Sequence, residues 1–332
     1  MTTTRQIAQQ MTTFGKGILA ADESIGTMSS RLEGAGVNPT ALSRRDYREL
    51  LATAPDLANG VSGIILCDET LNQAFADGTP FPEACRALGI LPGIKVDTGA
   101  KPCPGLPDET ITEGLDGLAG RLSEYAKTGA AFAKWRAVFT ITANTPSLGA
   151  IVANANALAR YAAACQEAGL VPIVEPEVLT AGAHGIGQCA EVTAAVHQTV
   201  REHLALFNVD LAGIVLKPNM VTEGSDNPHP ATPEDVAAAT VEVLRAWPGD
   251  LAGVAFLSGG QPPQRATANL AAMQSHDTPW PLTFSFGRAL VSPALAAWHG
   301  DEQLIGDGQA ALSAHVAANA AAVRLRGKLQ SV

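Results

Sequence analysis

Three lysines of this chain, Lys95, Lys134 and Lys217, fall inside short apolar runs: GIKVDTG, FAKWRAVFTI and LAGIVLKPN. An ammonium group in such a run is costly to bury unless it is paired. Carboxylates accompany them. Asp22 closes the run GILAADES, and Glu175 and Glu177 stand two apart in LVPIVEPEV. An extended strand puts residues two apart on one face, so the two glutamates share a face, as do Lys134 and Arg136. One reading is a set of interior salt bridges. The other is acid–base and nucleophilic chemistry, because groups of mixed sign held close together shift one another's pKa values. A lysine nucleophile needs a free amine, and at a pKa of ~10.4 only about one in 2,500 is neutral at pH 7. Lowering that pKa by ~3 units, through burial and a neighbouring cation, frees nearly a third. Lys217, late in its run, is the candidate nucleophile and Lys134 the candidate neighbour.

Two glycine-bearing turns suggest a place for an anion. Ser258, Gly259 and Gly260 follow one apolar run, and Ser285, Gly287 and Arg288 end the next. Backbone N–H groups in such turns, with a fork-shaped guanidinium beside them, suit phosphate oxygens. A second anion site can be drawn from Ser24, Thr27, Arg31 and Lys95, although these types also serve as helix caps and surface groups.

The elements that must position these groups recur. Eight apolar runs, beginning at 17, 60, 93, 132, 170, 211, 251 and 281, alternate with stretches of helical spacing. In 113–128, Leu115, Leu118, Leu122 and Tyr125 recur at three- and four-residue steps until Gly129; in 232–247, Thr232 caps, Pro233 leads, and Val236, Val243 and Trp247 line one side. The alanine-rich stretch 152–168 reads as a helix able to pack closely on a sheet. Strand then helix, eight times, with strands apolar enough to be buried on both faces, predicts a parallel (β/α)8 TIM barrel in the α/β class. An open doubly wound sheet is the alternative, but no GxGxxG or GxxxxGK[ST] follows the first run. The chain, 1–332, is expected to form a single barrel domain, with an N-terminal helix in 1–16 and a C-terminal helix and short tail in 301–332. In a barrel the C-terminal strand ends carry the active site and the loops after the last two strands bind phosphate, which is where Lys217 and the two turns fall.

Composition sets the exclusions. The 332 residues are 46% hydrophobic, 16% charged and 5% aromatic, with a net charge of −10 that argues against a nucleic-acid or anionic-membrane partner. The cysteines, 67, 85, 103, 165 and 189, form no CxxC pair, and neither a signal peptide nor an apolar segment of membrane length is evident. A reducing, cytoplasmic setting is expected. The histidines show no ligand pattern; His197 and His203, six apart in a predicted helix, are expected at the surface or an interface rather than on zinc. No metal or cofactor is expected.

The segments GKGILAADES, GIKVDTG, GLDGL, FAKWR, NANALARYA, VPIVEPE, LKPNMV, FLSGGQ and FSFGRAL, in this order from Gly15 to about Trp298, together resemble the class I (Schiff-base) fructose-bisphosphate aldolases. The resemblance implies reversible cleavage of fructose 1,6-bisphosphate to dihydroxyacetone phosphate and glyceraldehyde 3-phosphate in glycolysis and gluconeogenesis. It implies the imine on Lys217, carbinolamine dehydration by Glu175, deprotonation of the C4 hydroxyl by Asp22, electrostatic support from Lys134, and a supporting carboxylate in Glu177. Ser258, Gly259, Ser285, Gly287 and Arg288 match the C1-phosphate cradle. Ser24, Thr27, Arg31, Lys95 and Arg136 match the C6-phosphate end. The family also implies a homotetramer. Two features depart from it: Phe286 stands where tyrosine is common, and the tail 327–332 has no terminal tyrosine of the kind that assists proton exchange on the enamine. A Schiff-base aldolase for a related sugar phosphate, or a barrel that binds sugar phosphate without catalysis, is the alternative.

Overall fold

The structure, a computed structural model, describes residues 2–326. The eight apolar runs become eight parallel strands: Gly17–Ala21, Val61–Leu66, Leu91–Lys95, Phe132–Phe139, Val171–Val178, Val215–Leu216, Val254–Phe256 and Leu282–Phe286. They follow one another around a closed barrel, and the first meets the eighth through Ile18 opposite Ser285 and Leu19 opposite Phe286. The chain is therefore a single-domain TIM barrel.

The two-residue alternation of the strands sorts their side chains into two cores. Leu19, Ile64, Leu66, Val174, Leu216 and Phe256 face outward and join the layer beneath the helices. Ile18, Ala20, Ile65, Phe132, Ile173, Val215 and Ala255 face inward, where Ala8 and Met11 of helix Thr4–Met11 pack with them. Ser62, early in the second strand, ties that helix to the barrel floor by donating to the Met11 carbonyl, 2.7 Å. Phe132 fills space that Gly63 and Gly93 leave open: a Cβ on Gly93 would lie 2.1 Å from its ring. Two residues further along each strand, the same inward face carries Asp22, Lys95, Lys134, Glu175, Lys217 and Ser285. The interior is apolar below and charged above.

Several boundaries differ from the sequence pattern, for local reasons. The helix expected over 113–128 begins only at Leu118, because Gly114 (φ 123°) and Gly117 (φ 67°) hold the preceding chain in the left-handed region. The helix expected to reach 247 runs Pro233–Leu244, capped by Thr232 as its sequence suggests, and the one expected over 152–168 starts earlier, Leu148–Glu167. The sixth strand keeps only Val215–Leu216, since Leu211–Gly213 makes a 3-10 turn capped by Asp210. Lys217 thus stands just past its strand, although its N–H still donates to the Val174 carbonyl at 2.8 Å. The N-terminal helix covers Thr4–Met11 within the expected 1–16. The C-terminal helix covers Ile305–Val323. The expected short tail, 327–332, lies outside the described residues.

Because Phe132 occupies the place of a side chain on Gly93, Gly93→Ala is expected to destabilise the barrel by about 1–3 kcal/mol, the scale of overpacking in a filled core. Urea unfolding should show an earlier midpoint at unchanged slope; an unmoved midpoint would show that the floor is loosely packed.

Candidate active site

The upward-facing charges meet at the barrel mouth. Lys134 Nζ lies 3.0 Å from Asp22 Oδ2 and 3.1 Å from Glu175 Oε2, and the other oxygen of Glu175 lies 3.4 Å from Lys217 Nζ. Lysine, glutamate, lysine and aspartate therefore form one chain of alternating charge, contributed by the fourth and fifth strands and the loops after the first and sixth. Asp22 is held by its own backbone as well. Arg48, wholly buried on helix Ala41–Ala52, donates to the carbonyls on either side of it, Ala21 at 3.0 Å and Glu23 at 2.7 Å. Lys217 is fixed from both neighbouring strands, since the Pro218 carbonyl accepts from Leu257 N at 3.0 Å.

These groups form the floor of a cavity of about 460 Å³. On one wall are Leu257, Ser258, Gly259, Ser285, Gly287 and Arg288. Ser285 Oγ is buried there with no hydrogen-bond partner among the described residues, an expensive state unless something in the cavity completes it. Arg288 makes no ion pair among the described residues. Helix Arg288–Trp298 begins at the same wall, so its leading N–H groups add to the attraction for an anion. On the other wall are Glu23, Ser24, Thr27, Arg31, Lys95, Thr98 and Arg136. Here each cation has a partner: Arg31 with Glu23, Lys95 with Asp97, Arg136 with Glu177. Ser24 caps helix Ile25–Gly34 by accepting from Thr27 N.

The electrostatics follow from burial and neighbours. Burial alone raises the pKa of Asp22, but Lys134 above all, then Lys217 and Lys95, overcome it and hold the carboxyl at about 2. Burial opposes the charged form of Lys134, yet Asp22 and Glu175 keep its pKa above the ordinary range. Lys217 moves the other way. Burial and the nearby Lys134 lower it, only partly offset by Glu175, Asp22 and Glu177. The site thus holds an ionised aspartate, a protonated lysine and a second lysine biased toward its free amine. That combination suits attack on a carbonyl followed by proton transfer.

All the site residues named from sequence except Gly260 line this cavity. Gly260 sits beside it, under the Arg288 guanidinium: a Cβ there would lie 3.1 Å from Arg288 Nη2. Sequence reasoning missed Glu23, Asp97, Thr98 and Arg48. Asp97 had a usable signal, since it stands two residues after Lys95 at the spacing that marked the other pairs. His197, expected at the surface or an interface, is instead buried within the fold, accepting from Trp247 Nε1 at 3.2 Å, with burial and Arg201 taking its pKa down to about 3. Trp247, brought across from beyond helix Pro233–Leu244, covers it. Among the described residues no cluster of three His, Cys, Asp or Glu side chains is placed to hold a metal, and no helix is long and apolar enough to cross a membrane.

A family model described as fructose-bisphosphate aldolase class-I matches residues 3–331. Fructose-bisphosphate aldolase of Drosophila melanogaster is 50% identical over 319 residues, 95% of this chain and 88% of that protein. The cytosolic fructose-bisphosphate aldolase 5 of Arabidopsis thaliana is 51% identical over 306 residues, 91% of this chain and 85% of its own. A solved structure of the Plasmodium falciparum aldolase superposes with a TM-score of 0.95 at 42% identity, covering 97% of this chain and 94% of that one.

Removing the Lys134 charge should raise the pKa of Lys217. Lys134→Met is therefore expected to move the pH profile of imine formation with a small carbonyl compound to higher pH, with less free amine at neutrality. A profile that stays where it is in wild type would mean burial alone sets the amine.

Proposed function

The chain belongs to the class I fructose-bisphosphate aldolase family and cleaves fructose 1,6-bisphosphate, and we propose that it does so through an imine on Lys217. The observation that carries this reading is Glu175, one buried carboxylate shared between Lys217 and Lys134 at the floor of the cavity. The free amine of Lys217 adds to the C2 carbonyl of the ketose phosphate. The Glu175 carboxylate, within reach of that nitrogen, takes the proton that the amine sheds on addition and passes it to the C2 hydroxyl, which leaves as water. The resulting iminium is the electron sink. Asp22, kept ionised by Lys134, takes the proton of the C4 hydroxyl. The C3–C4 bond breaks, its electron pair passes toward the iminium to give an enamine, and glyceraldehyde 3-phosphate leaves. The enamine regains a proton at C3, and water releases dihydroxyacetone phosphate and the lysine.

Ser258, Gly259, Ser285, Gly287 and Arg288 are assigned to the C1 phosphate, supported by the Ser285 hydroxyl and Arg288, neither of which has a partner among the described residues. Ser24, Thr27, Arg31, Lys95 and Arg136 are assigned to the C6 end, with Glu177 steadying Arg136. A homotetrameric assembly in the cytoplasm completes the proposal. The family and the name of the Arabidopsis relative support it, as do the exposed Leu206 and Phe207 at the end of an outer helix.

Borohydride reduction with dihydroxyacetone phosphate in excess EDTA should leave a stable adduct on Lys217 and an inactive protein. Lys217→Ala should lower kcat by about 10⁴-fold or more, the scale on which loss of a covalent nucleophile acts. Asp22→Ala should still form the adduct but lose about 10²–10⁴-fold in cleavage, the range of general acid–base catalysis. No adduct, together with activity abolished by EDTA, overturns the imine; normal cleavage by Asp22→Ala overturns its role as base.

A further inference from the structure

We propose that Thr180 is a positioning residue for phosphate recognition, holding in shape the glycine turn that forms one side of the C1-phosphate cradle. The proposal rests on the assignment of that wall to phosphate made above. Thr180 lies two residues beyond the fifth strand, on the far side of the mouth from helix Ile25–Gly34, and its hydroxyl donates to the Gly259 carbonyl at 3.0 Å.

The turn it touches needs an outside support. Ser258 O accepts from Gln261 N at 3.0 Å, and the two central residues have φ of 57° and 83°, the signature of a type I′ turn. Glycine at both central positions gives the backbone that conformation without steric cost, but it also leaves alternative turn geometries nearly as accessible. Rotation of the central peptide carries the Gly259 carbonyl and the Gly260 N–H together. No intramolecular acceptor is found for either the Gly259 or the Gly260 N–H among the described residues, so both are free to serve a ligand. The Thr180 hydroxyl grips the one carbonyl that reports the orientation of that central peptide.

Thr180 can act this way because its own backbone does not yield. Its carbonyl accepts from Ser225 N at 2.6 Å, and beside it Gly182 O accepts from Asp226 N and His184 O from Gly224 N, each at 2.9 Å. The loop after the fifth strand is thus laced to the loop that follows Lys217, and Thr180 extends that lacing to the phosphate turn. The segment carrying the nucleophile and the one carrying the anion donors, joined directly where Leu257 N donates to the Pro218 carbonyl, are tied a second time through Thr180.

The test compares wild type, Thr180→Val, Thr180→Ser and Arg288→Ala in steady-state cleavage of fructose 1,6-bisphosphate, with thermal melting as a fold control. Thr180→Val keeps the shape and loses the donor. It should raise KM about three- to tenfold, the scale of one hydrogen bond, with kcat within about twofold and an unchanged melting temperature. Thr180→Ser restores the hydroxyl and should restore KM. The proposal falls if Thr180→Val leaves KM unchanged, or if Thr180→Ser is as impaired as Thr180→Val. Arg288→Ala separates the two levels. If it weakens KM while Thr180→Val does not, only the role of Thr180 fails; if it too leaves KM unchanged, the phosphate assignment fails and takes the role of Thr180 with it.

Discussion

The ammonium of Lys134, buried between Asp22 and Glu175, is the constraint on which the rest of the site depends. Burial at the mouth of the barrel would otherwise push the Asp22 carboxyl toward its neutral form. Lys134 keeps Asp22 anionic, and the same positive charge disfavours protonation of Lys217. Imine chemistry asks for both: a base that is ionised and an amine that is not. One cation meets the two demands because Glu175 stands between the lysines, attractive to each and able to pass a proton at the Lys217 end.

The barrel makes this arrangement affordable. Its strands alternate, so a lysine inserted at an inward position necessarily rises above the apolar plug of Ile18, Phe132, Ile173 and Val215 and meets the inward residues of its neighbours. The plug excludes water from below, which strengthens every electrostatic interaction above it and makes an unpaired charge correspondingly expensive. Buried ion pairs seldom stabilise a fold over apolar packing of the same volume. Their presence in this layer is therefore explained by chemistry, with stability supplied by the plug and by the helix-covered outer core.

What could be read in the sequence was whatever broke a pattern. Lys134, Lys217, Asp22 and Glu175 are visible because charge interrupts apolar runs, and the barrel is visible because those runs recur eight times. Arg48 is invisible by the same logic. An arginine on an amphipathic helix looks like a solvated group, and only the packing of helix Ala41–Ala52 turns it inward to hold the carbonyls around Asp22. Thr180 gives no signal either, since its role exists only across a gap between two loops. His197 misled for a related reason: its burial depends on Trp247 arriving from a different part of the chain. The shortened sixth strand reflects a local contest, won by the Asp210 cap over the continuing apolar run.

The two walls of the cavity differ in a way that shapes how a bisphosphate is recognised. Exposed Arg288 and the buried Ser285 hydroxyl stand without partners among the described residues, so an anion arriving there breaks no ion pair and completes a hydroxyl already desolvated. Arg31, Lys95 and Arg136 are each committed to a carboxylate, and an anion at that end must compete with Glu23, Asp97 and Glu177 or share their cations. On the assignment proposed above, the first phosphate is the anchor that sets the C2 carbonyl over Lys217. The second is held by exchange of partners, at a smaller net gain. Recognition strength then concentrates at the end of the substrate that stays covalently attached, and the end that must leave as glyceraldehyde 3-phosphate is released by carboxylates ready to take their cations back.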